Sequence, residues 1–149
     1  MPQIKEFTPK DVAKIAAIER ICFADAWSLD MIKTESSQQK FCALVIEEQD
    51  ETLGFIMGSV LFEDAEIYKV AILPQHRGKG LGSMAVNAFA DKVKERGGER
   101  IFLEVRPSNT AALRLYQNRG FEKNRLRKRY YADGEDCLEM KKELYPDEE

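Results

Sequence analysis

The stretch from Val70 to Val86, VAILPQHRGKGLGSMAV, restricts the fold of this chain more than any other. An apolar run leads into a loop holding three glycines, Gly78, Gly80 and Gly82, and an apolar helical pattern follows. Glycine is costly inside a helix or strand, so the cluster marks a loop where the backbone must turn tightly or approach something closely. A loop without Cβ atoms ahead of a helix lets backbone N–H groups converge on an anion, with the helix dipole adding to the attraction. Phosphate or pyrophosphate is the natural guest, and Arg77 and Lys79 supply further positive charge. The same glycines would equally serve a tight turn and close helix–sheet packing, with both cations merely solvated.

The rest of the chain supports one domain spanning residues 1–149. Thr8 and Asp11 have capping-box spacing ahead of a first helix whose apolar stripe is Val12, Ile15, Ala16 and Ile18. Ser28 is placed to cap a second, short helix. FCALVIEE and LGFIMGSVLFE read as a hairpin across the polar turn QDET, and AEIYKVAIL as a third strand. After the glycine loop, Ala85, Val86, Phe89, Ala90 and Val93 recur at helical spacing, and Gly97-Gly98 ends the helix. RIFLEV reads as a buried strand and SNTAALRLYQNRG as a helix capped near Ser108 or Asn109. FEKNRLRKRYY and EDCLEMKKEL close the chain as a hairpin around Asp133-Gly134. The order ααβββαβαββ predicts an α/β (α+β) mixed sheet with helices on both faces.

Composition excludes several function classes. The net charge of −3 argues against indiscriminate nucleic-acid binding. No apolar run approaches the ~20 residues of a membrane span, and the charged start MPQIKEF has no signal-peptide block. Cys22, Cys42 and Cys137 are widely spaced and form no CxxC, as expected of reduced thiols in a cytoplasmic protein. One histidine and no clustered thiols leave no basis for a transition-metal site. His76 reads as a surface residue, and the basic run KNRLRKRYY as the solvated face of an edge strand. The tail PDEE is expected to be loose.

Three phosphate motifs compete for the loop. No register supplies the P-loop pattern GxxxxGK[ST]. Gly80-Leu81-Gly82-Ser83-Met84-Ala85 fits the dinucleotide pattern G-x-G-x-x-A, and Glu104 follows Gly80 at 24 residues, about where a ribose-binding acid belongs. That leaves an NAD(P)-binding module or oxidoreductase as an alternative of a different class. Against it, PQHR separates the strand from the glycines, and only one further helix follows Glu104. The third pattern, R/Q-x-x-G-x-G/A, is met by Arg77 through Gly82. Here the chain resembles the GNAT acetyltransferases. VAILPQHRGKGLGSMAV, IFLEVRPSNTAALRLYQNRGF, YYADGEDCLEM and AWSLDMI together resemble the RimI branch, the N-terminal-alanine acetyltransferases of bacterial ribosomal proteins. The likeness covers nearly the whole chain in order. Ala26 and Ala132 depart from the branch, each standing where a proline is common.

The resemblance implies a GNAT fold, acetyl-CoA as donor and a protein or peptide N-terminus as acceptor; the chain is expected to be a monomer, with no membrane, no metal and no direct nucleic-acid partner. It implies that the backbone of Val70, Ala71 and Ile72 holds the acetyl and pantetheine arm. Arg77, Gly78, Lys79, Gly80, Leu81, Gly82 and Ser83 would hold the pyrophosphate, and Asn109 the arm near the thioester. It assigns Glu104 as base and Tyr116 as acid, and Trp27, Tyr130 and Tyr131 to the acceptor; Phe23 is read as core.

Elementary acid–base chemistry qualifies these roles. An α-amine, with pKa near ~7.7–8 against ~10.4 for lysine, is neutral on the order of a hundredfold more often at neutral pH. An ordinary Glu near ~4.3 is roughly four units too acidic to take a proton easily from an ammonium. Glu104 therefore needs a water relay or a pKa raised by partial burial. A Tyr near ~10 is a weaker acid than a thiol near ~8.5, so Tyr116 suits hydrogen bonding to a thiolate better than full proton transfer.

Overall fold

The mixed sheet forms with one strand more than the sequence pattern gives. The computed structural model describes residues 1–146, so the last three tail residues lie outside it. In chain order the elements are β1 (Gln3–Glu6), α1 (Val12–Cys22), α2 (Leu29–Ser36), β2 (Phe41–Glu48), β3 (Glu51–Leu61) and β4 (Asp64–Ile72). They continue with α3 (Leu81–Glu95), β5 (Arg100–Val105), α4 (Thr110–Asn118), β6 (Glu122–Arg127) and β7 (Cys137–Glu143). The strands make one sheet in the order β1-β2-β3-β4-β5-β7-β6. β4 and β5 are its one parallel pair among the described residues. A single parallel pair does not make the doubly wound sheet that a dinucleotide-binding domain requires.

The added strand, β1, is four mostly exposed residues and carries no alternating signal. It exists because β2 offers its free edge, where Gln3–Glu6 pair with Glu47–Leu44. The β2–β3 turn is tighter than QDET suggests. Glu48 pairs with Glu51, leaving two turn residues, Gln49 and Asp50, both at positive φ. That backbone matches the twist of the flanking strands.

Apolar periodicity correctly locates the helices. Val12, Ile15, Ala16 and Ile18 are buried on one sheet face with Ile32 of α2. Ala85, Val86, Phe89, Ala90 and Val93 are buried on the other with Leu103 and Tyr116. The Thr8 backbone N–H donates to the Asp11 carboxylate at 2.8 Å, and the Ser28 hydroxyl accepts from the Met31 N–H at 3.1 Å. Pro9–Asp11 form a 3-10 turn, so α1 starts at Val12.

One irregularity in β4 creates the site. Met57 pairs with Lys69 and Gly58 with Ile67, so Tyr68 is an extra residue, a β-bulge. The bulge reverses the facing of everything after it. Ala65 and Ile67 point to the α3 side; beyond Tyr68 it is Val70 and Ile72 that do, while Ala71 and Leu73 turn toward α1. A Cβ on Gly58 would lie 1.9 Å from the Glu66 carbonyl oxygen, so the strands can approach this closely only with glycine there.

Candidate active site

β4 and β5 are bonded from Asp64–Arg100 only as far as Ile67–Leu103. Past that point β4 runs on to Ile72 and β5 to Val105, and the two strands part. Two cavities use this opening, one beside α4 and one on the side of the β3–β4 turn.

The glycine loop leads to the first. Gly78 and Gly80 have φ of +78° and +80°, and a Cβ built on either meets nothing within 4 Å. The space above them is open, so their requirement is conformational and the room remains for a ligand. Gly82 differs: its Cβ would stand 3.3 Å from Leu115 of α4, which is the helix-packing role. The loop thus divides the two readings of its glycines between different positions. Helix α3 begins at Leu81, with Gly80 as its cap. Its first intrahelical bond runs from the Met84 N–H to the Gly80 carbonyl at 3.1 Å. The N–H groups of Leu81, Gly82 and Ser83 therefore have no helical acceptor and suit an anion. Leu81 contributes backbone only, because its side chain is buried in the core. We expect Gly80→Ala to destabilise the protein by about 1 kcal/mol through its left-handed φ and to weaken acetyl-CoA binding. Thermal melts and calorimetric titration measure the two effects.

The first cavity, about 390 Å³, is lined by Val70, Ala71, Ile72, Arg77, Gly82, Asn109 and Tyr116, with Cys22 and Phe23 from α1 and its following residue. Arg77 folds back here: its Nε donates to the Ile72 carbonyl at 2.9 Å. Asn109 caps α4 by accepting from the Ala112 N–H at 3.1 Å. Tyr116 is buried, its ring set edge-on to Phe121 at 5.7 Å, and burial pushes its hydroxyl pKa up to about 12.

The second cavity is a groove of about 740 Å³ whose walls include Tyr68, Glu66, Glu104, Arg127, Tyr130 and Glu139. The Glu104 carboxylate is 31% exposed; it accepts from the Tyr130 hydroxyl at 3.2 Å and lies 3.7 Å from the Arg127 guanidinium. It is solvated and paired, with room beside it for a water. Crowding by protein, followed by the facing Glu104 charge, raises the pKa of Glu66 above the ordinary range. The Glu104 charge and hydrogen bond likewise raise that of Tyr130.

The raised Glu66 pKa carries a stability consequence. The folded protein holds this proton more tightly than the unfolded chain does. Stability therefore declines as pH rises from ~4.3 through the raised value. Glu66→Gln should raise the melting temperature at pH 7 and lose that gain below about pH 4. Melts across this range test the sign.

Seven of the expected residues thus meet in the first cavity, and Glu104 and Tyr130 meet in the groove. Trp27 and Tyr131 line neither. Trp27 packs beside Tyr68 at 5.9 Å, and Tyr131 stacks on the Arg106 guanidinium at 4.0 Å. Arg106 in turn bonds Asp133 and Glu135, at 2.8 and 3.0 Å, and Glu135 accepts from the Ser108 N–H at 2.9 Å. Tyr131 therefore belongs to a clamp joining the β6–β7 loop to the start of α4. His76 is half-buried, its Nε2 3.6 Å from Glu51, and does not stand free on the surface. Phe23 is at the edge of the core and also walls the cavity.

The sequence reading missed Glu66, Arg127 and Glu139. Arg127 was expected on a solvated face of an edge strand. β6 is an edge strand, but Arg127 reaches across to Glu104 and to Glu139, the latter at 3.6 Å. Glu66 carried a usable signal, as a charge inside the strand that feeds the glycine loop. All three cysteines are free. Among the described residues no group of side chains could hold a metal, and no helix is long and apolar enough to cross a membrane.

Comparison with known proteins agrees with this geometry. The [ribosomal protein bS18]-alanine N-acetyltransferase of Escherichia coli (strain K12) is 30% identical over 145 residues, covering 94% of this chain and 96% of its own. The enzyme of the same name from Haemophilus influenzae (strain ATCC 51907 / DSM 11121 / KW20 / Rd) is 29% identical over 131 residues, 88% of each chain. The crystal structure of the ribosomal-protein-S18-alanine N-acetyltransferase from Escherichia coli superposes with a TM-score of 0.90 at 26% identity, covering 100% of this chain and 97% of that one. Residues 12–121, from the start of α1 to the end of the α4 turn, match the Acetyltransferase (GNAT) family. With an open glycine cradle ahead of α3 and a split between β4 and β5, the chain belongs to the GNAT family of acetyl-CoA-dependent N-acetyltransferases.

Proposed function

We propose that this enzyme acetylates the α-amine of a protein N-terminus by direct transfer, with an alanine-starting ribosomal protein as acceptor. One observation carries the reading: β4 passes from a groove walled by carboxylates, at Tyr68, to a cavity walled by a buried phenol, at Val70, where β4 and β5 part. The names of the relatives support the choice of acceptor.

Acetyl-CoA, when bound, supplies an activated acetyl group. The backbone of Val70, Ala71 and Ile72 and the side-chain NH2 of Asn109 would hold its pantetheine arm. Arg77 and residues 78–83 would hold its pyrophosphate. Glu104 receives the amine proton through water. The groove suits a cation at that stage, since Glu63, Asp64, Glu66, Glu104 and Glu139 outweigh Lys40 and Arg127 along its walls. Tyr116 donates a hydrogen bond to the departing sulfur. With its pKa at about 12 it stays protonated beside a thiolate whose conjugate acid is near ~8.5. Tyr130 orients Glu104 and faces the acceptor; Trp27 and Tyr131 act one step back, by supporting Tyr68 and the β6–β7 loop. One copy of the chain supplies every residue named.

The test is acetyl-CoA with peptides that differ in their first residue, each also bearing one internal lysine, read by mass spectrometry. We expect acetylation at the α-amine of the alanine-starting peptide. Modification confined to lysine, or to small amines supplied in parallel, would replace this reading with acetylation of other amines.

A further inference from the structure

The groove and the cavity share a feature that neither proton transfer nor cofactor binding uses. Glu19 of α1 is 0% exposed, and its Oε1 lies 2.6 Å from the Nζ of Lys69, whose side chain is 13% exposed. The same oxygen accepts the backbone N–H of Trp27 at 2.8 Å. Lys69 Nζ also sits 4.4 Å from the centre of the Phe23 ring and 5.5 Å from that of Trp27. One carboxylate therefore ties together α1, the segment between α1 and α2, and β4 immediately after its bulge.

The position of these contacts matters. Lys69 lies between Tyr68, which lines the groove, and Val70, which lines the cavity. Phe23 lines the cavity, and Trp27 packs on Tyr68. Moving the 23–27 segment would therefore shift a wall on each side of the strand opening.

A buried ion pair is a poor way to gain stability, because desolvation offsets most of the attraction and an apolar replacement of similar volume often does as well. Here the second oxygen, Oε2, is buried with no hydrogen-bond partner among the described residues, which adds to the cost. A pair retained on such terms at the junction of two cavities is explained by what it orients. A cation held over two aromatic faces and against a carboxylate has few alternative placements, so it fixes both rings.

We propose that Glu19 and Lys69 are a positioning pair that sets the Phe23–Trp27 segment against the β4 bulge and thereby shapes the acceptor groove. This rests on the assignment of that groove to the acceptor.

The experiment compares wild type with Lys69→Met, Lys69→Arg and the double variant Glu19→Leu/Lys69→Met. It measures melting temperature, acetyl-CoA affinity, acceptor KM and kcat with the alanine-starting peptide, and the fluorescence of Trp27, the one tryptophan in the chain. Lys69→Met should melt lower, because it leaves a buried carboxylate without its cation. The double variant should recover that melting temperature. It should nevertheless raise acceptor KM about 10-fold, in the manner of a displaced positioning group, and shift Trp27 emission to longer wavelength. Lys69→Arg should stay near wild type.

A double variant with native melting, native acceptor KM and native Trp27 emission overturns the proposal. If the double variant does not fold, Glu19→Gln replaces it. The Gln keeps the acceptor for the Trp27 N–H and removes the charge, and the same shifts in KM and emission are required of it. The emission readout needs no acceptor. A wild-type enzyme inert toward every peptide would thus refute the acceptor assignment, while an unshifted emission would still refute the pair's role.

Discussion

Glu104→Gln should lower kcat/KM for the acceptor peptide by about 10²- to 10³-fold and leave acetyl-CoA affinity unchanged. The amide has nearly the same shape and can still accept from Tyr130, so the change removes proton-accepting ability without disturbing the groove wall. Stability should hardly move, since the Arg127 contact is solvent-exposed at 3.7 Å and such pairs contribute about 0–1 kcal/mol. The comparison that makes this informative is Glu66→Gln. Both carboxylates line the groove, and the pKa of Glu66 is raised partly by the charge of Glu104. With Glu104 as the principal acceptor of the proton, Glu66→Gln costs much less activity. Steady-state kinetics from pH 6 to pH 9, with calorimetric titration of acetyl-CoA, measure all of this. Equal losses from the two variants would make the carboxylates a coupled pair and overturn the assignment of the role to Glu104.

Tyr116→Phe should lower kcat by about 10²-fold, the loss expected when one donor to a developing negative charge is removed. Acceptor KM and acetyl-CoA affinity should stay close to wild type, because the hydroxyl acts on charge that appears only during transfer. The ring contact with Phe121 at 5.7 Å survives the substitution, so the melting temperature should be preserved. The effect should also be flat with pH across the neutral range. With the hydroxyl pKa at about 12, no titration of Tyr116 falls there. A loss of rate that varied strongly between pH 7 and pH 9 would mean that the phenol exchanges a proton and does more than donate a hydrogen bond.

The amino-acid sequence by itself determined the helices, the principal strands and the glycine loop ahead of α3. Those signals are local: apolar residues at helical spacing in α1 and α3, capping at Thr8 and Ser28, and glycines whose positive φ at Gly78 and Gly80 belongs to their own backbone. Tertiary structure decided what depends on neighbours distant in sequence. β1 exists only because β2 has an edge to pair with, and four mostly exposed residues cannot announce that. The bulge at Tyr68 is set by the register between β3 and β4, and no pattern within AEIYKVAIL shows it. Yet it turns Val70 and Ile72 toward the cavity and leaves β4 and β5 free to part. Glu66, Arg127 and Glu139 entered the groove for the same reason, from three different strands. Tyr131 and Trp27 went the other way: they are near the site in sequence pattern, but the Arg106 clamp and the Glu19–Lys69 pair hold them behind its walls. A residue's chemistry can be read from its type, whereas the surface it faces is fixed by strand register and ion pairing across the fold.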